Sequence, residues 1–142
     1  MYIAVMGYGT VGSGVVEVFL KNHDSIIKKC GQSQLDLKYI LDLRDFPNDP
    51  NKDKFTKDFN DILNDDEVKI VVETMGGLHP AFEFVSSLLK AGKSVVTSNK
   101  ELVAAKGYEL LSIADENNVN FLFEASVGGG IPIIRPISQC LA

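Results

Sequence analysis

The glycine-rich segment GYGTVG at residues 7–12 constrains the fold most, because a short apolar run precedes it and a helical pattern follows it. Gly7 permits a tight strand-to-helix turn, Gly9 lets a phosphate approach the backbone, and Gly12 lets the helix pack closely on a sheet. Free N–H groups and the positive dipole end at the helix start attract phosphate. A glycine turn with a purely steric role is the alternative. The context favours a dinucleotide site, with a cofactor diphosphate bound by Gly7, Tyr8, Gly9, Thr10, Val11 and Gly12.

The rest of the chain alternates between short apolar runs and stretches of helical period. Strands are predicted at Tyr2–Met6, 35–43, 69–73, Ser94–Thr97 and 120–124, and helices at 10–29, 58–64, 80–90 and 107–117. Gly31 is the expected C-cap of the first helix, and residues 44–54 read as loop. The strands are apolar on both faces, as expected when helices cover both sides of a parallel sheet. This pattern predicts a single α/β domain, a Rossmann-type doubly wound parallel sheet.

Composition limits the partners and the compartment. The 142 residues carry a net charge of -5, and the 14 Lys and Arg are scattered, which argues against nucleic acid. No apolar run is long enough for a membrane span, and the N-terminus lacks the pattern of a signal peptide. Cys30 and Cys140 form no metal or redox motif, so we expect reduced thiols and a cytoplasmic protein.

Charged residues follow the second predicted strand, where the adenine ribose binds in this fold. Asp42 or Asp45 would favour NAD by binding the ribose hydroxyls, whereas Arg44 would favour NADP by pairing with a 2′-phosphate. Ordinary solvated loop charges are the alternative for each of them. The sequence leaves the choice between NAD and NADP open.

Two further strand ends carry candidate site residues. After the strand at 69–73, the small residues and the Thr74 hydroxyl suit a nicotinamide ribose, although a turn or capping role is the alternative for Thr74. His79 precedes Pro80 and is expected to be a cap or surface residue. Lys100 follows the strand Ser94–Thr97, at the cofactor edge of the sheet. It is the candidate donor of a hydrogen bond or proton to a carbonyl oxygen as hydride arrives.

Three stretches together resemble homoserine dehydrogenase: GYGTVGSGVVE at 7–17, VVTSNKEL at 95–102 and FEASVGGGIP at 123–132. The resemblance covers the whole chain but only the first part of the family's usual length. It implies NADPH- or NADH-dependent interconversion of L-homoserine and L-aspartate 4-semialdehyde, in the pathway to threonine, methionine and isoleucine.

Residue by residue, the resemblance implies that Tyr8 to Val11 line the dinucleotide, that Thr74 and Met75 lie near the nicotinamide ribose, and that Lys100 contacts cofactor and takes part in catalysis. It also implies a loop that holds an alkali cation such as Na+, mostly through backbone carbonyls, with the ligands Glu124, Val127, Gly129 and Ile131. Oxygen ligands suit such a hard cation. A flexible hinge is the other interpretation of this loop, and the two are compatible.

The resemblance also defines the expected domain organisation. Residues 1–130 would form the dinucleotide-binding domain, and residues 131–142 would begin a helix leading to a substrate-binding and dimerisation domain. Because that domain is absent from the sequence, we expect a fragment that binds cofactor and does not turn over substrate alone. The full-length enzyme is expected to be a homodimer. Two alternatives stay open: a non-catalytic dinucleotide-sensing module, and another Rossmann enzyme such as an amino-acid or sugar dehydrogenase.

Overall fold

Strands that are short, β-branched and apolar on both faces must be packed against helices on both sides of the sheet, and the structure has helices on both sides. The computed structural model describes residues 1–31 and 34–123. Within them the strands are β1 (Tyr2–Met6), β2 (Asp36–Leu41), β3 (Phe55–Thr56), β4 (Val68–Glu73), β5 (Ser94–Thr97) and β6 (Phe121–Phe123). The helices are α1 (Thr10–Lys21), α2 (His23–Cys30), α3 (Phe59–Leu63), α4 (Ala81–Lys90) and α5 (Lys100–Glu116).

All the strand pairs are parallel, in the order β3-β2-β1-β4-β5-β6. This is the Rossmann order, and it confirms the predicted fold class. Because the strands are parallel, their carboxyl ends meet at one edge of the sheet. The functional residues predicted after β1, β2, β4 and β5 therefore lie along that edge.

Successive residues of β1 alternate between two cores. Ile3 and Val5 pack on one face against a cluster from α1 and α2. Ala4 and Met6 pack on the other face against a cluster from α3, α4 and α5. Both clusters consist of side chains that are almost completely buried. Their burial is the main stabilising term of the domain, and it holds the glycine turn and α1 against the end of β1.

The helix predicted at 10–29 is two helices, α1 and α2, with the break at Asn22. The backbone N–H and the side-chain amide of Asn22 both donate to the Val18 carbonyl, at 3.0 and 2.9 Å, which ends α1. The His23 ring then bonds the Leu35 carbonyl at 2.8 Å and the Asp36 carboxyl at 2.9 Å. These contacts turn α2 towards β2. Gly31 ends α2 with a φ of 66°, which confirms the predicted C-cap.

The prediction of a helix at 107–117 was wrong about its start, because α5 begins at Lys100. The Asn99 side chain accepts a hydrogen bond from the Leu102 N–H at 3.1 Å and caps the helix. Gly107, read from sequence as a helix start, is a buried position inside α5, where a Cβ would lie 3.4 Å from Val103. Lys100 is therefore the first residue of a helix.

Other differences are small. The predicted loop at 44–54 contains a short 3-10 turn at Lys52–Lys54, and β3 directly follows it. Among the apolar residues of α1, Val15 and Phe19 are buried, whereas Val11 and Val18 are 45% and 38% exposed. Among the helices of the described residues, none combines the length and hydropathy that a membrane crossing requires.

Candidate dinucleotide site

The glycine turn has the steric properties predicted for it. Gly7 has a φ of +95°, which favours glycine, and its N–H donates to the Leu41 carbonyl at 2.8 Å. A Cβ on Gly12 would lie 1.8 Å from the Gly7 carbonyl oxygen, so only glycine lets α1 pack this closely on the turn. A Cβ on Gly9 would meet nothing within 4 Å. The protein itself therefore does not require glycine at position 9, and the space there is open.

The N-terminus of α1 offers unpaired donors beside that space. Gly9 is the N-cap residue and provides no side-chain cap, and no acidic residue occupies the first turn. The Ser13 N–H bonds the Gly9 carbonyl at 2.9 Å, whereas the Thr10, Val11 and Gly12 amides have no acceptor among the described residues. Unpaired helix-start amides and the positive dipole end favour an anion. This cradle fits the diphosphate of a dinucleotide.

Asp42 lies at the end of β2 and joins it to the glycine turn. Its Oδ2 accepts from the Tyr8 N–H at 2.9 Å and from Arg44 Nη2 at 3.0 Å. Its Oδ1 accepts from the Arg44 Nε at 3.0 Å and the Arg44 backbone N–H at 2.9 Å. These four bonds use about all the acceptor sites of a carboxylate. The Arg44 guanidinium, together with the two backbone donors, lowers the pKa of Asp42 to about 2 despite burial.

Arg44 remains accessible although it is paired. Its side chain is 63% exposed, against 9% for Asp42, and it lies 5.3 Å from the centre of the Phe46 ring. Together with Lys52 and Lys57 it lines a depression beyond the end of β2. Lys57 is paired with Asp45 at 2.8 Å. The two signs of charge noted in the sequence are thus combined in ion pairs, with Arg44 on the outside.

The Tyr8 side chain anchors the loop after β2. Its hydroxyl donates to Asp49 at 2.7 Å, and its ring packs edge-on against Phe46 and Phe55. Burial and the neighbouring Asp49 raise the pKa of Tyr8 to about 12. The sequence predicted the loop but not this aromatic cluster, because its members become neighbours only when β3 joins the sheet.

A pocket of about 450 Å³ opens at the carboxyl edge between the glycine turn and the ends of β2 and β4. It brings together six of the predicted cofactor residues, Gly7, Tyr8, Gly9, Arg44, Thr74 and Met75. Leu43, Phe59, Pro80 and Phe84 add apolar surface that the sequence analysis did not assign. Leu43 is 78% exposed, so its side chain is accessible to the apolar part of a ligand.

The Thr74 hydroxyl is already engaged in the fold. It donates to the Met6 and Gly7 carbonyls, at 2.9 and 3.1 Å, and so ties the segment after β4 to the glycine turn. This geometry corresponds to the turn role that the sequence analysis kept as the alternative. The Met75 N–H is bonded to the Glu73 side chain at 2.7 Å.

Lys100 lies at the same edge as the glycine turn but not in the same pocket. Lys100 lines a separate, smaller depression of about 220 Å³, together with residues 97–99, Val103, Ala104 and Phe123. The body of α5 packs on the face opposite α1, and β4 separates β1 from β5. The exposed side chain of Lys100 at the helix start remains available to a ligand that extends along the edge.

The remaining predicted residues have mixed outcomes. His79 is exposed and contacts Glu83 across one turn, as expected of a surface or capping residue. Cys30 is a free, half-buried thiol, and burial raises its pKa. Cys140, the cation-loop residues Glu124, Val127, Gly129 and Ile131, and the domain boundary at 130/131 lie outside the described residues.

Three site residues were missed from sequence. Glu73 and Thr97 end neighbouring strands and are fully buried, and Asn99 is 4% exposed. A glutamate as the last residue of an apolar strand was a usable signal, since buried charged groups require specific partners. Asn99 three residues before Leu102 was a usable capping signal.

Comparison with known proteins agrees with the geometry. Residues 7–124 match the family model described as homoserine dehydrogenase, NAD binding domain. The chain is 36% identical to homoserine dehydrogenase of Bacillus subtilis, covering 99% of this chain and 33% of the relative. The corresponding protein of Corynebacterium glutamicum is 38% identical, with 99% of this chain and 32% of the relative covered. The chain thus spans about a third of the length of the curated relatives it matches.

Solved structures give the same result. The crystal structure of S. aureus homoserine dehydrogenase at pH 6.0 superposes with a TM-score of 0.80 and 42% identity, over 94% of this chain and 35% of that one. A hyperthermophilic archaeal homoserine dehydrogenase, solved in complex with NADPH, superposes with a TM-score of 0.71 and 28% identity, over 94% and 46%. With residues 7–124 matched by the family model, the chain belongs to the family of homoserine dehydrogenase NAD-binding domains.

Proposed function

We propose that this chain binds NAD(P) along the carboxyl edge of its sheet and forms the cofactor-binding part of a homoserine dehydrogenase. The observation that carries the proposal is the open space at Gly9, directly before helix-start amides that have no acceptor among the described residues. Packing within the turn does not require glycine there, because a Cβ at this position would meet no atom within 4 Å. The family match and the archaeal relative's NADPH complex support the cofactor class.

The groups that would hold the cofactor are found in order along the edge. The amides of residues 10–12 would bind the diphosphate, and the β4 loop, residues 74–77, would face the nicotinamide ribose. On the adenosine side, Asp42 has its acceptor sites occupied by Arg44 and Tyr8, whereas the Nη1 donors of Arg44 have no acceptor among the described residues. This donor balance favours the 2′-phosphate of NADP over the bare ribose of NAD.

The proposed reaction interconverts L-homoserine and L-aspartate 4-semialdehyde. Hydride exchange at the C4 carbon of the substrate is the chemistry that a bound nicotinamide supplies. Lys100 is the group of this chain proposed to act at the substrate oxygen, donating a hydrogen bond or a proton from its ammonium in reduction and, as the neutral amine, accepting the proton in oxidation. Lys100 is the first residue of α5, beside the edge along which the cofactor would extend.

Three parts of the proposal concern the intact enzyme. A homodimer in the cytoplasm, a substrate-binding and dimerisation domain to which residues 131–142 lead, and an alkali-cation site at Glu124, Val127, Gly129 and Ile131 rest on the family resemblance. The cation would stiffen the segment between the domains rather than take part in the chemistry. Calorimetry of the intact enzyme with NaCl against choline chloride tests this site, and identical melting curves would exclude it.

The decisive experiment for this chain compares Gly9→Ala with Gly14→Ala. Neither added Cβ meets an atom within 4 Å, so both variants should fold, with stability changes of about 1 kcal/mol or less. Titration with NADH and NADPH should give binding by the wild type and by Gly14→Ala, and at least about tenfold weaker binding by Gly9→Ala. Absence of binding by the wild type, or equal binding by Gly9→Ala, would overturn the proposal.

A further inference from the structure

A buried carboxyl group connects two of the strand ends at the cofactor edge. Glu73, the last residue of β4, is 0% exposed. Its Oε1 accepts from the Thr97 hydroxyl at 2.7 Å, and its Oε2 accepts from the Met75 N–H at 2.7 Å. No lysine, arginine or histidine of residues 1–31 and 34–123 forms an ion pair with it. One oxygen thus holds the β4 loop and the other holds the end of β5.

The Thr97 hydroxyl passes this connection on to α5. Because its single proton is donated to Glu73, its oxygen accepts from the Asn99 N–H at 3.0 Å. The Asn99 side chain then caps α5 through the Leu102 N–H and donates to the Gly77 carbonyl at 2.6 Å. The β4 loop and the first turn of α5, where Lys100 lies, are therefore bonded to each other directly and through Glu73.

At its other end the network reaches the glycine turn. Thr74 bonds the Met6 and Gly7 carbonyls through its hydroxyl, as described above. Hydrogen bonds made by residues 73–75 thus join the end of β4 to the ends of β1 and β5. Gly76 and Gly77 both have positive φ angles, 76° and 75°, so the β4 loop is a segment whose conformation must be held by such bonds.

We propose that Glu73 is a positioning residue: it sets the β4 loop and the first turn of α5 as one unit, so that the nicotinamide half of the cofactor and Lys100 are held in fixed relation. This inference rests on the proposed function. Hydride transfer tolerates little misplacement of the reacting groups, so bonds that fix these two segments relative to each other would favour the reaction. Glu73 itself touches neither ligand nor substrate in this scheme.

Glu73→Gln tests the role without changing the size of the side chain. The amide has one acceptor oxygen, and the Met75 N–H can only donate, so this oxygen stays with Met75. The amide N–H groups then face Thr97, whose oxygen can accept one of them as well as the Asn99 N–H, but whose own buried hydroxyl proton loses its acceptor. The variant therefore reverses the bond and leaves a donor unsatisfied, which weakens the connection between Glu73 and α5. Thr97→Val removes the connection altogether, and Thr97→Ser preserves it. Ser94→Ala is the control, because it removes a buried hydroxyl that accepts from the Asn120 N–H at the opposite end of β5.

The experiment measures amide hydrogen exchange by NMR and the affinities for NADH, NADPH and ADP. ADP carries the diphosphate that the glycine turn would bind but lacks the nicotinamide half. In Glu73→Gln and Thr97→Val we expect exchange at Leu102 to rise about tenfold, with the β1 amides unchanged. The affinity for the tighter-binding dinucleotide should fall about tenfold, while that for ADP is retained. The double variant Glu73→Gln/Thr97→Val should bind the dinucleotide no more weakly than the single variant with the lower affinity. Thr97→Ser and Ser94→Ala should match the wild type in both affinity and Leu102 exchange.

Two results would overturn this role of Glu73. One is unchanged Leu102 exchange in both Glu73→Gln and Thr97→Val. The other is an equal loss of ADP and dinucleotide binding, with faster exchange throughout the sheet, which indicates general destabilisation. Failure of the wild type to bind NADH and NADPH would instead refute the proposed function, and the exchange measurements would still decide whether Glu73 couples the two segments.

Discussion

The backbone N–H of Tyr8 donates a 2.9 Å hydrogen bond to the Asp42 carboxylate, which joins the glycine turn to the end of β2. One amide of the turn is therefore already occupied within the protein. The amides left to bind the proposed diphosphate are those at the start of α1, residues 10–12, while Asp42 holds Arg44 at the rim of the pocket. The same carboxylate thus organises two parts of the candidate site.

Gly12→Ala should be strongly destabilising. The new Cβ would lie 1.8 Å from the Gly7 carbonyl oxygen, and the backbone would have to shift to relieve the contact. We expect a loss of about 1–3 kcal/mol in the free energy of unfolding, measured by urea denaturation. Gly14→Ala in the same helix is the matched control and should be neutral or stabilising, since nothing lies near its Cβ. Equal stability of the two variants would contradict the close packing of α1 on the turn.

Arg44→Ala should separate the two cofactors. The exposed guanidinium is the group available to a 2′-phosphate, so we expect about 10- to 100-fold weaker NADPH binding and little change for NADH, measured by fluorescence titration. Arg44→Lys retains the charge without the planar guanidinium, so its affinity for NADPH should lie between those of the wild type and Arg44→Ala. An equal effect on NADH and NADPH would show that Arg44 does not discriminate between them.

Asp42→Asn should change the acid stability of the domain. The folded state lowers the pKa of Asp42 from 3.8 to about 2, so the unfolded chain takes up the proton first as the pH falls. The stabilisation by this carboxylate is complete above its unfolded pKa and is lost between about pH 4 and pH 2. At neutral pH the variant should be less stable by about 1–2 kcal/mol, and the difference should shrink through that window. A difference independent of pH would argue against the ionised pair.

Lys100→Ala should impair turnover much more than cofactor binding. The assay is homoserine oxidation by this domain joined to the remaining two thirds found in its relatives. We expect kcat to fall by about 100-fold or more, with the dinucleotide Kd changing little. Lys106→Ala is the control, because Lys106 belongs to the same helix and pairs with Glu109 at 3.6 Å. Unchanged turnover in Lys100→Ala would dismiss the catalytic role.

Much of the fold could be predicted because its signals are local. The apolar strand before Gly7, the helical period after it and the repeated alternation further along indicate a parallel sheet without knowledge of any contact. Helix boundaries were less predictable. The break at Asn22 depends on the bond between the His23 ring and residues next to β2, and the start of α5 depends on the Asn99 cap. Periodicity alone carries neither signal.

The sequence by itself determined the doubly wound parallel sheet, the glycine turn and the edge of the sheet at which the candidate site residues lie. Each of these follows from periodicity, glycine sterics or strand direction, which act over a few residues. Only the tertiary structure decided that Asp42 is paired with Arg44, that Thr74 holds the glycine turn, and that Glu73 connects β4 to β5. These side chains are far apart in the chain, and their partners are set by which strands pair and by which groups are buried without water. Hydrogen bonds between distant, desolvated groups are properties of the folded sheet, and no local pattern specifies them.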